Sequence, residues 1–411
     1  MTHEPVRLAR LSRLAWVDIA RGVLVVIVVV GHTVFFMARR GMDVGSVEPA
    51  VRLLQEVRIP ALFVLSGMLF SQASARAWRT VVRTRVLLLG WLLVVWLLVE
   101  LVVRGYVLQL QATPTLAQAP RYALGQLALP EDYLWFIWAL LVMVVLGRLL
   151  ARAPLVMTLL FVAMTTGLLS FPDLGRQTDA FVSDAPFFLL GLSSAPWLLR
   201  LRQRYLLAAG VPAVVLFVLG AGLRAEERIG PLNMETAATL VSLAGLPVVA
   251  GAAVLLARVP GSGGLQYLGR RTLPVYVLHM PVLLLSFAAV RAWGREWADP
   301  YPLPTLVLLV VSNVAVCVGV WWVCQRLGVR GLFDLPRWVT RLYDRVWRDP
   351  GLPAQRPASF ARPGETRVGA TPSLKVRTGG TDAHWVSRPL PESSSCPPGQ
   401  KPGRSPAASQ P

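Results

Sequence analysis

The sequence is short of charge, lysine, cysteine and histidine. Only 15% of its 411 residues are charged, against 55% hydrophobic. A soluble domain carries about 25% charged residues, so a soluble globule is excluded and a polytopic membrane protein is indicated. Two lysines, Lys375 and Lys401, leave almost all 41 basic positions to arginine, which reads as the mark of a GC-rich genome. The formal charge of +19 would suggest a nucleic-acid partner in a soluble protein. Here the arginines follow a membrane pattern instead, and no nucleic acid is expected. Of three cysteines, Cys317 and Cys324 lie on one apolar helix and Cys396 in a polar tail, so no disulfide framework is expected. No cleavable signal peptide is evident. The first apolar segment is too long for a signal core and lacks a small-residue cleavage site after it. An inverted repeat of the kind transporters carry is also missing.

What is present is a series of apolar runs. They lie near 16–37, 57–71, 86–103, 134–150, 154–171, 180–199, 205–223, 237–257, 272–290 and 304–324. The expectation is an all-α polytopic integral membrane protein with about ten transmembrane helices. The second run is short enough to be partial or tilted, and the fourth and fifth form a tight hairpin across Arg148–Ala153. One alternating set of loops holds Arg7, Arg10 and Arg13; Arg76, Arg79, Arg83 and Arg85; Arg148 and Arg152; Arg200, Arg202 and Arg204; and Arg258, Arg270 and Arg271. Its four internal loops contain no acid. The other set mixes arginine with Asp43, Glu48, Glu56, Glu131, Asp132, Asp173, Asp179, Glu226, Glu227, Glu235, Glu296 and Asp299. Because basic loops stay inside, both termini are expected in the cytoplasm and the protein in the plasma membrane.

The domain reading is a basic N-terminus over 1–15, a transmembrane domain over 16–330, a juxtamembrane segment over 331–349 and a tail over 350–411. The tail is rich in Pro, Ser, Gly and Arg and has too few bulky apolar residues to build a core, so a disordered basic cytoplasmic tail is expected. His3 and His384 sit in the terminal segments and are taken as incidental.

The first run contains Asp18, Arg21 and His32. An arginine at the centre of a span costs roughly 2.5–3.5 kcal/mol on insertion scales, and such residues usually mark a functional path. Eleven residues are about three helical turns, so Arg21 and His32 share a face, and Asp18 joins it at i−3. At about 1.5 Å per residue, His32 lies roughly 16 Å deeper than Arg21. A neutral imidazole, with an ordinary pKa near 6.5, can take the proton of a hydroxyl nucleophile or carry an acyl group itself.

Four segments then occur in order: Asp18-Ile-Ala-Arg21-Gly22 with Gly31-His32; Arg58-Ile-Pro-Ala-Leu-Phe-Val-Leu-Ser66-Gly67; Leu134-Trp135-Phe136-Ile-Trp138; and Leu268-Gly269-Arg270-Arg271-Thr272-Leu-Pro274-Val-Tyr276-Val-Leu-His279. Over roughly residues 12–330 the chain resembles the membrane acyltransferase 3 family, which O-acylates sugars and other hydroxyl compounds. The resemblance implies an acyl-CoA-dependent O-acyltransferase. Acyl-CoA, expected to be acetyl-CoA, is a co-substrate rather than a bound cofactor, and no metal is called for. The implied acceptor is a hydroxyl of a carbohydrate or glycosylated compound, such as a cell-envelope polysaccharide, a glycolipid or a sugar-bearing metabolite.

By match, His32 is the essential histidine, Arg21 its paired arginine and Asp18 their companion. Arg83 and Arg85 stand where the family carries donor-binding arginines, with Arg76 and Arg79 as the alternative pair. His279, Tyr276, Trp135 and Ser66 are candidate substrate contacts. The family often has a histidine where this chain has Tyr133.

Plainer roles stand beside these. His32 and His279 can join helices by hydrogen bonds, Arg21 can snorkel to the interface, and Asp18 can favour a helix start. Arg83 and Arg85 can simply set topology, and Trp135 and Trp138 can belong to an interfacial belt. Asp184, near an outer helix end, can be a cap or an acceptor contact. The rival function is a transporter or exporter of a lipid-linked or glycosylated compound. A membrane-bound O-acyltransferase of the unrelated type, which pairs its histidine with an asparagine region, finds no matching neighbourhood at Asn233 or Asn313.

Overall fold

Long apolar runs leave the backbone no partner but itself, and in hydrocarbon only helices or closed barrels satisfy it. A computed structural model describes residues 4–103, 118–128, 130, 133–166, 176–225, 234–294, 298 and 300–347, and all its regular elements are helical. They are α1 (Glu4–Ala38), α2 (Glu48–Ser74), α3 (Trp78–Val81), a π-helical turn over Val82–Val86, α4 (Leu87–Leu101) and α5 (Ala119–Ala128). There follow α6 (Trp135–Leu150), α7 (Pro154–Thr165), α8 (Arg176–Asp184), α9 (Phe187–Leu198), α10 (Gln203–Ala225) and α11 (Met234–Leu256). The last are α12 (Gly263–Gly269), α13 (Thr272–Ala289), a second π-helical turn over Val290–Gly294, α14 (Pro302–Arg326), a 3-10 turn over Arg330–Leu332 and α15 (Arg337–Val346). Met1–Asp349 form one unit. Glu131, Asp132, Asp173, Glu226, Glu227, Asn233, Glu296, Asp299, His3 and the expected tail over 350–411 lie outside the described residues.

Among the described residues, seven helices are long and apolar enough to cross a bilayer: Ala15–Ala38, Glu48–Ser74, Trp78–Leu101, Gln203–Leu223, Thr236–Leu256, Thr272–Ala292 and Pro302–Arg326. The expected count of ten is not reached by this measure. The other three runs correspond to α6, α7 and α9, of 16, 12 and 12 residues. Helices of that size extend only about 18–24 Å, against a hydrocarbon core near 30 Å. The expected fifth run extends beyond α7 into undescribed residues, and the sixth is broken between α8 and α9 at Ala185–Pro186. The second run is longer than its apolar stretch suggests, because Glu48, Arg52 and Glu56 belong to the same helix. The hairpin across Arg148–Ala153 is present, joining α6 to α7.

α1 is the axis. It packs against α2, α11, α12, α13 and α14, and Ile19, Leu24, Val25, Val28 and Val29 are buried around it. On the periphery, Val211, Leu216 and Leu219 of α10 and Val307, Leu308 and Val311 of α14 are exposed. Such apolar surface would drive aggregation in water but is the face a lipid solvent requires.

Two interior prolines explain contacts that otherwise look arbitrary. A proline lacks an N–H and leaves the carbonyl four residues earlier without its helical donor. Pro60 frees the carbonyl of Glu56, and the Ser242 hydroxyl on α11 donates to it at 2.5 Å. Pro281 frees the carbonyl of Val277, and the Tyr133 hydroxyl donates to it at 3.2 Å. Neighbouring side chains thus restore what the prolines remove, as is usual within membranes.

Where α2 crosses α9 the backbones touch. A Cβ on Gly67 would collide with the Phe188 carbonyl, and one on Gly191 with the Val64 carbonyl. Gly191→Ala is therefore expected to push the two helices apart. Overpacking of this kind costs about 1–3 kcal/mol, so the purified variant should melt clearly below wild type, and an equal melting temperature would show that the crossing tolerates the methyl.

Candidate active site

The spacing of α1 does bring one face into a shared interior. Arg21 Nη2 donates to the Thr272 hydroxyl at 2.5 Å, at the start of α13. Three turns along, the His32 ring lies 5.1 Å from the His279 ring, centroid to centroid, with the planes 57° apart. α1 and α13 therefore run side by side in the same direction, with an arginine–threonine contact at one level and an imidazole pair at the other.

The tautomers follow from the hydrogen bonds. His32 Nδ1 donates to the Val28 carbonyl at 3.0 Å. A carbonyl only accepts, so in the neutral ring Nδ1 carries the proton and Nε2 keeps a free lone pair. His279 Nδ1 donates to the Tyr276 carbonyl. Its Nε2 is buried without a hydrogen-bond partner among the described residues. The Asn313 amide donates to the His279 carbonyl at 2.9 Å and steadies that turn of α13.

Two tyrosines close this level. Tyr133 stands edge-on to His279, with ring centroids 5.6 Å apart, and Tyr276 lies 5.5 Å from the same ring. The Tyr276 hydroxyl donates to the Tyr133 carbonyl. Tyr133, whose contribution the sequence left open, thus joins the imidazole pair and also holds the carbonyl freed by Pro281.

Arg58 arrives from α2. Its guanidinium occupies the place a Cβ on Gly31 would take, directly beside His32. Nε and Nη1 are buried and meet no acceptor among the described residues, although Asp184 of α8 supplies an opposite charge within electrostatic reach. The signal was available in the sequence: Arg58 opens the second quoted segment, two turns before Ser66 on one helix. A charge at the edge of an apolar run also resembles an interfacial anchor, which masks the signal. Asp184, for which the sequence leaves a cap or an acceptor contact open, belongs to the same level.

A cavity of about 350 Å³ opens at the Arg21 end. Arg21, Ser66, Arg85, Phe136, Thr272 and Tyr276 are among its lining residues. Ser66 donates to the Leu62 carbonyl at 2.7 Å within its own helix. Tyr276 lines this cavity and also touches His279, so it stands where the cavity meets the imidazole pair.

The remaining candidates lie elsewhere. Asp18 pairs with Arg270 at 2.9 Å and ties α12 to α1; it is fourteen residues, roughly 21 Å along the helix, from His32. Trp135 packs on Phe63 and Phe136, each at 6.2 Å, and Phe136 rather than Trp135 lines the cavity. Arg83 is paired with Asp344 at 2.9 Å, Arg79 donates to the Trp347 carbonyl, and Arg76 is exposed. Arg85 alone of the four arginines reaches the cavity wall.

The model of the acyltransferase 3 family, described as an acyltransferase domain, matches residues 14–322, a stretch that holds every residue of the imidazole level and the cavity. No curated protein and no solved structure matches the chain. On that match the chain belongs to the acyltransferase 3 family and is a multi-pass membrane acyltransferase.

Proposed function

We propose that the protein moves an acyl group, acetyl in the simplest case, from acyl-CoA on the cytoplasmic side to a hydroxyl of a carbohydrate or glycosylated acceptor. The observation that carries this reading is the imidazole of His32, with Nδ1 held on the Val28 carbonyl so that Nε2 keeps its lone pair, and beside it Arg58, whose buried Nε and Nη1 meet no acceptor among the described residues. In the step as proposed, the acceptor oxygen attacks the thioester carbonyl while His32 Nε2 takes its proton. The carbonyl oxygen becomes an oxyanion facing Arg58. The intermediate collapses, the C–S bond breaks, and the thiolate recovers the proton from the imidazolium. The products are an ester and free CoA. A water-poor site strengthens both the proton transfer and the arginine–oxyanion attraction.

The arginine-only loops support cytoplasmic termini by the positive-inside rule, and a plasma-membrane location goes with that orientation. Two of those loops, around Arg85 and Arg270, lie at the Arg21 end of the molecule, where the donor would enter. A cavity of about 350 Å³ suits the pantetheine arm of the donor rather than its nucleotide, leaving the phosphates at the mouth beside Arg85. Arginine binds phosphate in a bidentate manner.

The test is release of CoA by purified protein in nanodiscs, with and without hydroxylated acceptors. Absence of acyl-CoA turnover with every sugar and glycoside acceptor would overturn the reading. Within it the arginines separate. A charge-assisted contact contributes about 1.5–3 kcal/mol, so Arg85→Gln should raise the acyl-CoA KM about tenfold or more. Arg83 is already paired with Asp344, and the loss of an exposed pair counts for at most about 1 kcal/mol. Arg83→Gln should therefore move KM far less. An unchanged KM in Arg85→Gln would transfer donor binding to Arg76 and Arg79.

A further inference from the structure

α15 belongs to neither the imidazole level nor the cavity, and its sequence is divided into three lengthwise stripes. Residues four apart lie on one helix face. Trp338, Leu342 and Val346 form an apolar stripe and are 59%, 55% and 71% exposed. Arg337, Arg341 and Arg345 form the stripe beside it, all exposed, with no ion pair among the described residues. The third stripe faces the bundle, which Trp338 also touches, edge-on to the Trp91 ring of α4 at 5.7 Å. Asp344 pairs with Arg83 at 2.9 Å, the Tyr343 hydroxyl donates to the Arg79 carbonyl at 3.3 Å, and the carbonyl of Trp347, just past the helix, accepts from Arg79.

The approach to the helix is anchored as well. Trp91 Nε1 donates to the Gly331 carbonyl at 2.7 Å and Trp96 Nε1 to the Leu332 carbonyl at 2.8 Å. These bonds hold the chain against α4 before Pro336 releases it into α15 in extended backbone. At ten residues, α15 is about 15 Å long and far too short to span.

We propose that α15 is a membrane-surface helix that binds anionic phospholipid. Its tryptophan–leucine–valine stripe enters the headgroup–acyl boundary, and its three arginines meet lipid phosphates. An exposed apolar stripe flanked by a basic one is the pattern of helices that lie in the bilayer plane, and the charge complementarity selects anionic headgroups. Other occupants fit less well. The tail over 350–411 holds eight Arg or Lys against three Asp or Glu, so it would repel the basic stripe. A second copy docked on the same face would bring arginines against arginines. The consequence for the bundle is mechanical: lipid on one face of α15 steadies the Arg79–Arg83 turn gripped by its other face. This inference stands on the geometry of α15 alone and does not depend on the acyl-transfer reading.

The experiment uses the full chain with its three cysteines replaced by serine, carrying Leu342→Cys labelled with an environment-sensitive fluorophore. The protein is placed in nanodiscs of phosphatidylcholine, alone or mixed with phosphatidylglycerol, with spin-labelled lipid as quencher. The label should emit to the blue and be quenched by lipid, more so with phosphatidylglycerol. Each arginine near an anionic surface strengthens attachment roughly fivefold, so Arg337→Gln/Arg341→Gln/Arg345→Gln should remove most of the phosphatidylglycerol dependence while quenching persists. A label that stays in water in both membranes overturns the proposal. So does a blue-shifted label that lipid fails to quench, since protein would then cover the stripe. A triple variant with undiminished phosphatidylglycerol dependence overturns the anionic-lipid assignment.

Discussion

His32→Ala should lower acyl transfer by about a thousandfold, the middle of the range for a positioned general base, while the protein still inserts and purifies as one monodisperse species. The separation of activity from folding follows from what the imidazole touches. Among the described residues its one hydrogen bond runs to Val28 on its own helix and its one ring contact is His279, so truncation removes no tie between described helices beyond that ring packing. Loss within tenfold of wild type would remove His32 from the chemistry. The same preparation separates base from acyl carrier. CoA release by wild-type protein in stoichiometric amount before any acceptor is added marks an acyl-imidazole, whereas strict dependence on acceptor marks direct transfer.

The parts of this site that could be read in the sequence are those governed by helical periodicity. Arg21 and His32 share a face because eleven residues are about three turns, and Tyr276 and His279 share one because they are three residues apart. The parts that escaped depend on which helix packs against which. Nothing local says that Arg58 lies on Gly31, since that contact needs the crossing of α2 over α1. Nothing local says that Asp18 is occupied by Arg270, more than 250 positions away.

The donor arginines are an intermediate case. Arg83 and Arg85 are two residues apart and so face different ways on a helix, which already argues against a joint grip. What could not be read was that Asp344 takes the first and the cavity the second. The count of ten spans is not confirmed where length and hydropathy part company. The runs at α6, α7 and α9 are apolar but short as helices, whereas α2 carries polar residues in its first turns and is the longer for them.

Arg58→Gln is expected to lower kcat by about two to three orders of magnitude, the usual effect of removing one oxyanion donor, and to leave the acyl-CoA KM nearly unchanged. The split is the informative part. An oxyanion exists only in the transition state and the intermediate, so its donor acts on kcat, whereas a group that merely binds the donor acts on KM. Arg58→Lys keeps the charge but loses the planar fork, and should recover part of the loss. Gly31→Ala is a second route to the same result. The added Cβ claims the position of the Arg58 guanidinium, and because that is the end of a flexible side chain, the arginine swings away while the backbone stays. Its kcat should fall with Arg58 still in the chain. A structural role makes the opposite forecast: Arg58→Gln would strip Asp184 of an opposite charge within reach, the melting temperature would drop, and the folded fraction would turn over at the wild-type rate. Measuring kcat per folded molecule, with the folded fraction counted independently, decides between an arginine that stabilises the reacting oxygen and one that only holds α2 in place.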